Sequence, residues 1–277
     1  MKDWQIRLAT TGGAILALVV LWNQFGPTLN FGRAEAVARA SAERGNAGEE
    51  FRWEGRVADH GAVEIKGVNG SITAETAPGR TVEVQAVKRG RRSDPGEVRI
   101  EVLEHGDGVT LCAVYPGPGN QCTVGKEGRM NTRNNDVTVN FHVLVPSGVS
   151  FIGRTVNGSV KIPALESDVS IETVSGSVEV ATTGTAQATT VNGSIKAVVG
   201  ARELNRDLNF TTVNGSIAVT LSDGVGADVR ATTVNGSLTS DFPLNIQRRL
   251  MTGTIGQGGA SLRLETVNGA VRVRRGP

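Results

Sequence analysis

Thr212-Val213-Asn214-Gly215-Ser216-Ile217 is one copy of a phrase that recurs through the second half of the chain. Other copies centre on Asn157-Gly158, Ser175-Gly176, Asn192-Gly193, Asn235-Gly236, Thr252-Gly253 and Asn268-Gly269, at intervals of 16 to 22 residues. An outlying copy lies at Asn69-Gly70. A fixed period near twenty means that one small unit is stacked many times.

Asn-Gly between apolar residues ordinarily signals a two-residue hairpin. A hairpin closing at Asn214-Gly215 would pair Val213 with Ser216 and Thr212 with Ile217, mixing polar and apolar residues on both faces. Reading straight through with period two sorts them better. Val213, Gly215, Ile217, Val219 and Leu221 then share one face, and Asn214, Ser216, Ala218 and Thr220 the other. Upstream runs such as Val169-Ile171-Thr173 and Leu208-Phe210-Thr212 alternate in the opposite parity. The flip between Thr and Val implies a corner. Each coil therefore holds two short strands facing one core.

The expected fold is all-β: a right-handed parallel β-solenoid of about seven short coils, rising roughly 34 Å at the usual strand spacing. Asn157, Asn192, Asn214, Asn235 and Asn268 are expected to stack as a structural ladder, since stacked amides hydrogen-bond along such a column. Gly158, Gly176, Gly193, Gly215, Gly236, Gly253 and Gly269 are read as structural glycines that admit the corner or relieve a crowded core. Composition agrees. Of 277 residues 36 are Gly and only 4% aromatic, as a slender stack of small core side chains requires.

Residues 80–150 interrupt the period. Alternating runs at 81–87, 98–102, 109–114 and 137–143 are separated by turn signals such as Asp94-Pro95-Gly96 and His105-Gly106-Asp107-Gly108. They predict an antiparallel hairpin section covering the N-terminal end of the stack, whose open edge needs protection. Cys112 and Cys122, the two cysteines, are expected to pair in an exported protein. Such a short loop gains about 2–3 kcal/mol in the chain-entropy model.

Leu8 to Trp22 is nearly all apolar and uncharged, with Lys2 and Arg7 before it. This predicts an N-terminal hydrophobic helix, an uncleaved membrane anchor being favoured over a cleaved signal. The organisation is then 1–32 anchor or signal segment, 33–50 linker, 51–150 first repeat plus hairpin cap, and 151–277 solenoid repeats. The chain is expected to be exported, with its C-terminal domain outside the cytoplasm.

Chemistry is sparse. Lys+Arg 29 against Asp+Glu 27 is too balanced to predict nucleic-acid binding. His60, His105 and His142 lie far apart, and two Cys without a nearby His make a poor zinc set. No Ser stands in a Gly-x-Ser-x-Gly elbow. Gly256-Gln257-Gly258-Gly259 lacks the Lys of a phosphate loop and reads as a turn, and the Gly-Gly-x-Gly-x-Asp calcium pattern is absent. Lys88-Arg89-Gly90-Arg91-Arg92 reads as a solvated hairpin tip. Arg272-Val273-Arg274-Arg275 reads as a charged last strand that guards the final edge. Carboxylates of the repeat region, from Glu166 and Asp168 through Glu203 and Asp207 to Glu265, are scattered rather than convergent. No catalytic, metal or cofactor-binding residue is assigned, and no cofactor is expected.

The Thr-Val-Asn/Ser-Gly-Ser-Val repeats, with Phe141-His142-Val143-Leu144-Val145-Pro146-Ser147-Gly148-Val149 leading into the regular coils, resemble the bacterial "putative adhesin" β-strand-repeat domains. The resemblance covers residues 55–275 and implies the fold. That group has no agreed catalytic or binding residues to carry over. It implies a non-enzymatic envelope protein, adhesin-like or scaffolding, binding an envelope polymer or another protein through an extended face. A self-assembling filament and a carbohydrate-active β-helix enzyme are the alternatives.

Overall fold

The computed structural model describes residues 48–126, 128, 130–200, 204 and 206–276. The expected N-terminal helix, the anchor or signal segment, most of the linker and Glu203 lie outside the described residues.

The strands, in chain order, begin with β1 (Glu49–Gly55), β2 (Ala62–Lys66), β3 (Ile72–Thr76), β4 (Val82–Arg89) and β5 (Arg99–His105). Then come β6 (Gly108–Val114), β7 (Thr138–Val145), β8 (Ser150–Arg154), β9 (Val160–Leu165), β10 (Val169–Glu172) and β11 (Val178–Thr182). Next are β12 (Ala186–Thr189), β13 (Ile195–Val199), β14 (Leu208–Asn214), β15 (Ile217–Leu221) and β16 (Ala227–Asn235). The last are β17 (Leu238–Ser240), β18 (Asn245–Gln247), β19 (Leu250–Ile255), β20 (Ser261–Asn268) and β21 (Val271–Arg275).

These strands form two sheets. Sheet A runs β1-β4-β7-β3-β9-β11-β13-β15-β21-β17, and sheet B runs β18-β19-β16-β20-β14-β12-β10-β8-β2-β6-β5. Each coil contributes one strand to sheet B and, after its corner, one to sheet A. Parallel registers bring like side chains together between the sheets. Ile72, Val160, Val178, Ile195, Ile217, Val271 and Leu238 form one continuous row on sheet A. Their counterparts in sheet B include Val63, Phe151, Val169, Leu208, Leu262 and Val229. All of these are buried in one core. β-Branched side chains fill it because they pack well on a pleated surface, and each buried Val or Ile contributes about 1.5–3 kcal/mol.

Among the described residues the stack has seven corner-bearing rungs, but not the expected seven. Asn69 belongs to the first, because β2 and β3 pair in parallel with β8 and β9. Thr252-Gly253 forms no rung. It lies within β19, where Gly253 sits opposite Val229 in an antiparallel pair with β16, and β18 pairs antiparallel with β19 on the other side. The intervening turn carries Arg248 at φ 50°. Thr252-Gly253 has the right spacing, but Leu250-Met251 stands where the regular coils have Thr-Val, and the segment folds back instead.

Chain order and stack order also differ. The last coil, β20–β21, does not end the stack. It slots between β14–β15 and β16–β17. Arg272-Val273-Arg274-Arg275 is therefore an interior strand, not an edge guard as expected. The C-terminal end is covered instead by β18 and β19 on sheet B and by Phe242 and Leu244, which pack against the core.

At the N-terminal end, β5 and β6 form a hairpin of the expected kind on sheet B, whereas β4 pairs antiparallel not with the run that follows it but with β7 and with β1, which lay outside the expected hairpin runs. β6 and β7, however, run parallel to β2 and β3. They form an eighth, interrupted coil whose corner is replaced by the span from Tyr115 to Val137.

Because β20–β21 fills the middle of the stack, truncation after Gly259 is expected to abolish the cooperative thermal transition followed by circular dichroism. Replacement of the exposed Ile246 in β18 by Lys should leave that transition within a few degrees.

Candidate functional site

The corner is the feature repeated most often. In six of the seven rungs a Thr side chain points into the core: Thr155, Thr173, Thr190, Thr212, Thr233 and Thr266 are all buried, and Gly67 takes that position in the first rung. A buried hydroxyl needs a partner. Here it donates to the glycine carbonyl of the adjoining rung. Thr173 reaches Gly158 O at 3.0 Å, Thr190 Gly176 O at 3.0 Å, Thr212 Gly193 O at 2.9 Å, Thr266 Gly215 O at 2.8 Å and Thr233 Gly269 O at 2.9 Å. Thr155 does the same towards Gly70 O at 3.2 Å.

The glycines are required by the same contact. A Cβ on Gly158, Gly176, Gly193, Gly215, Gly269 or Gly236 would collide with the glycine carbonyl of its neighbour. These residues point along the stack and not into the core as the parity argument expected. Nor does the following Val face inward: Val156 and Val174 are 39% and 42% exposed. The core-facing sequence stops at Thr and resumes after Ser, because the chain turns through Val-Asn-Gly instead of flipping at one bond. Gly253 lies outside this arrangement, facing Leu244.

The Asn side chains lie on the outside. Asn157 Nδ2 donates to Asn69 Oδ1 at 3.0 Å. A second run joins Asn214 to Asn192 at 2.9 Å, Asn268 to Asn214 at 2.8 Å and Asn235 to Asn268 at 2.9 Å. Ser175 separates the two runs. There only the backbone continues, through parallel bridges from Asn157 to Ser175 and from Ser175 to Asn192. Four residues per rung, from Val68–Ser71 to Val267–Ala270, make up this edge. None is charged, in a chain that is 20% Asp, Glu, Lys and Arg.

A second constellation lies on the outer face of sheet B. Cys112 and Cys122 form a disulfide. Beside it the buried Glu64 accepts from Arg154 Nε at 2.7 Å and from Thr110 Oγ1 at 3.0 Å. Arg154 also donates to Glu172 at 3.0 Å, which pairs with Lys126 at 2.7 Å. Beyond the two cysteines no sequence signal marks this group, whose members come from four separate strands and a loop. Tyr115 closes the loop, its hydroxyl donating to Val137 O at 2.8 Å. Burial pushes its phenol up to about 12.

The remaining polar residues are dispersed. His105 contacts Thr110 Oγ1, His142 lies 3.8 Å from Glu75, and His60 stands in a turn at φ 65°. Lys88 leaves the basic cluster: it points inward, 5% exposed, and donates to Glu49 and to Val98 O, both at 2.8 Å. Repeat-region carboxylates tie turns. Asp168 accepts from Thr185, Asp228 from Thr254, and Asp207 and Asp241 from the backbone N–H of Ser261 and Arg275. Among the described residues no group of three or more His, Cys, Asp or Glu is placed to hold a metal ion, and no helix is long and apolar enough to cross a membrane. Open clefts among the described residues include one of about 570 Å³ near Arg56, Asp59 and Arg80 and one of about 290 Å³ near Trp53, Glu83 and His142.

Three expectations follow from this geometry. Thr212→Val keeps the shape but orphans Gly193 O, and should cost about 1–3 kcal/mol in denaturant titration. Gly193→Ala forces the rungs apart and should cost about 3 kcal/mol. The third concerns alkali. Tyr115 has a folded pKa above its unfolded value of 10. Its contribution to stability is therefore complete below pH 10 and lost as pH rises towards 12. Tyr115→Phe should lower stability at neutral pH yet flatten that alkaline decline in pH-dependent unfolding.

Comparison with known proteins places these features in a family. A search of curated proteins gives no match. Among solved structures, a "putative cell adhesion protein" from Clostridium sporogenes is similar at 12% identity and TM-score 0.46, with 82% of this chain and 100% of that one covered. A "putative adhesin" from Bacteroides fragilis is similar at 12% identity and TM-score 0.35, over 83% and 98% of the respective chains. Both are distant, and neither bears on what the chain does. The profile of the Toastrack DUF4097 domain matches residues 126–274, more than half of the chain and five of its seven rungs in full. With its stacked two-strand coils and their Thr-Val-Asn-Gly-Ser corners, this chain belongs to the Toastrack DUF4097 family.

Proposed function

We propose that the chain is a non-enzymatic protein of the cell envelope, adhesin-like or scaffolding in role, which binds through an extended face instead of a pocket. The observation that supports this most is the corner edge. Seven rungs present Val, Asn and Ser side chains in columns about 4.8 Å apart, without a charge along roughly 34 Å. Such an edge suits a long, repetitive partner, an envelope polymer or the surface of another protein. It has no affinity of sign for nucleic acid.

Export is supported by the Cys112–Cys122 disulfide, which persists in oxidising compartments. In this reading residues 1–32 attach the protein to the membrane. Against an enzyme stand the carboxylates, which are engaged in tying turns and in the Glu64 network. Against a filament stand the antiparallel β1 and β5, which close both sheets at the N-terminal end, and β18 and β19, which close sheet B at the other.

The test is binding of the full-length chain to arrayed envelope polysaccharides and envelope proteins. The double variant Val156→Lys/Val174→Lys places charge on two exposed edge positions and should weaken binding at least tenfold, with an unchanged melting temperature. Equal binding by the variant would remove the edge as the binding face.

A further inference from the structure

The span from Tyr115 to Val137 stands where the other coils have their corner. Its base is clipped shut. Asn120 Nδ2 donates to Tyr115 O at 3.0 Å and to Asn131 O at 2.8 Å, and Asn131 N donates to Asn120 Oδ1 at 2.8 Å. Beyond the clip, residues 121–126 lie over the outer face of sheet B. They are held there by polar contacts. Lys66 Nζ donates to Thr123 O at 2.7 Å and to Gly125 O at 2.8 Å, Gly125 N donates to Glu64 Oε2 at 2.9 Å, and Lys126 pairs with Glu172.

Apolar hold on this segment is slight. Val124 is 45% exposed. The small cluster beneath consists of Cys112, Val114 and Cys122 with Leu103 and Met130, and Met130 also touches the main core. Two of its three buried members are the cysteines themselves. These contacts are charge-assisted, but water can replace each of them once the tip lifts, so the covalent bond is the one constraint on the tip that hydration cannot replace. The bonds of Glu64 to Arg154 and Thr110, and of Arg154 to Glu172, lie within sheet B and involve no atom of the tip.

We propose that Cys112–Cys122 is a redox latch: its reduction releases residues 121–126 from sheet B and uncovers the charged strip of Glu64, Lys66, Arg154 and Glu172, while the clip and the rungs stay closed. The reductant is a dithiol. Its thiolate attacks Cys122 Sγ, the more exposed residue of the pair at 9% against 1%, and Cys112 leaves as a thiolate. The second thiol of the reductant then attacks the mixed disulfide, freeing Cys122. Two electrons pass to the protein, which ends with two thiols, and the reductant leaves as a cyclic disulfide.

Limited trypsin digestion of the full-length chain, with and without dithiothreitol, tests the latch. Cleavage after Lys126 should accelerate at least tenfold on reduction, while cleavage after Lys161 and Lys196, on β9 and β13, stays unchanged. The Cys112→Ser/Cys122→Ser variant should behave as the reduced protein without reductant. Equal cleavage after Lys126 in both states would overturn the proposal. So would a parallel rise at Lys161 and Lys196, which would make the bond a staple of the whole fold.

Discussion

The hydrogen bond from a buried Thr hydroxyl to a glycine carbonyl one rung away is the contact on which the stack depends. Inside a low-dielectric core an unpaired hydroxyl or carbonyl is costly, so the two are obliged to meet. They meet only because the receiving residue and the glycine above it lack side chains. That close approach holds neighbouring corners at strand spacing and keeps both sheets in register. The core rows from Ile72 to Leu238 follow from it, since each apolar residue then sits directly over its equivalent.

Identical corners have a further effect. A rung presenting the same Thr, Asn and Gly to both neighbours can sit beside any other rung. Stack order is thereby freed from chain order, and β20–β21 can enter between β15 and β17. The choice is settled at the end of the stack, where β16 takes antiparallel β19 as its other neighbour and so leaves only one side for β20. Outside, the rule relaxes. The Asn column is interrupted at Ser175 because an exposed amide can turn to water, whereas the Thr column continues through all six rungs that carry it.

Much of this was legible in the residues. Period and alternation identified two short strands per coil, the core positions and the outward Asn. The cysteines were paired correctly from composition and context. The corner itself was harder to read. Alternation assigns each residue to one of two faces, and a corner has a third direction, along the stack, into which the glycines point. Carrying the alternation through Val213 and Gly215 therefore placed both wrongly. Lys88 was misplaced for a related reason: charge alone suggested solvent, but its strand phase with Val82, Val84 and Ala86 pointed inward, where Glu49 of β1 was waiting.

By itself, then, the sequence determined the repeating unit: which residues are buried in each strand, where each coil turns, and that coils stack. These are properties of ten or twenty consecutive residues. Only the tertiary structure decided that Asn69 opens the stack, that Thr252-Gly253 leaves it, that the last coil lies inside it, and that the Cys122 loop covers Glu64 and Arg154 on sheet B. Those outcomes compare alternative neighbours for near-identical edges. The differences among them reside in contacts between residues far apart in the chain, which no local period records.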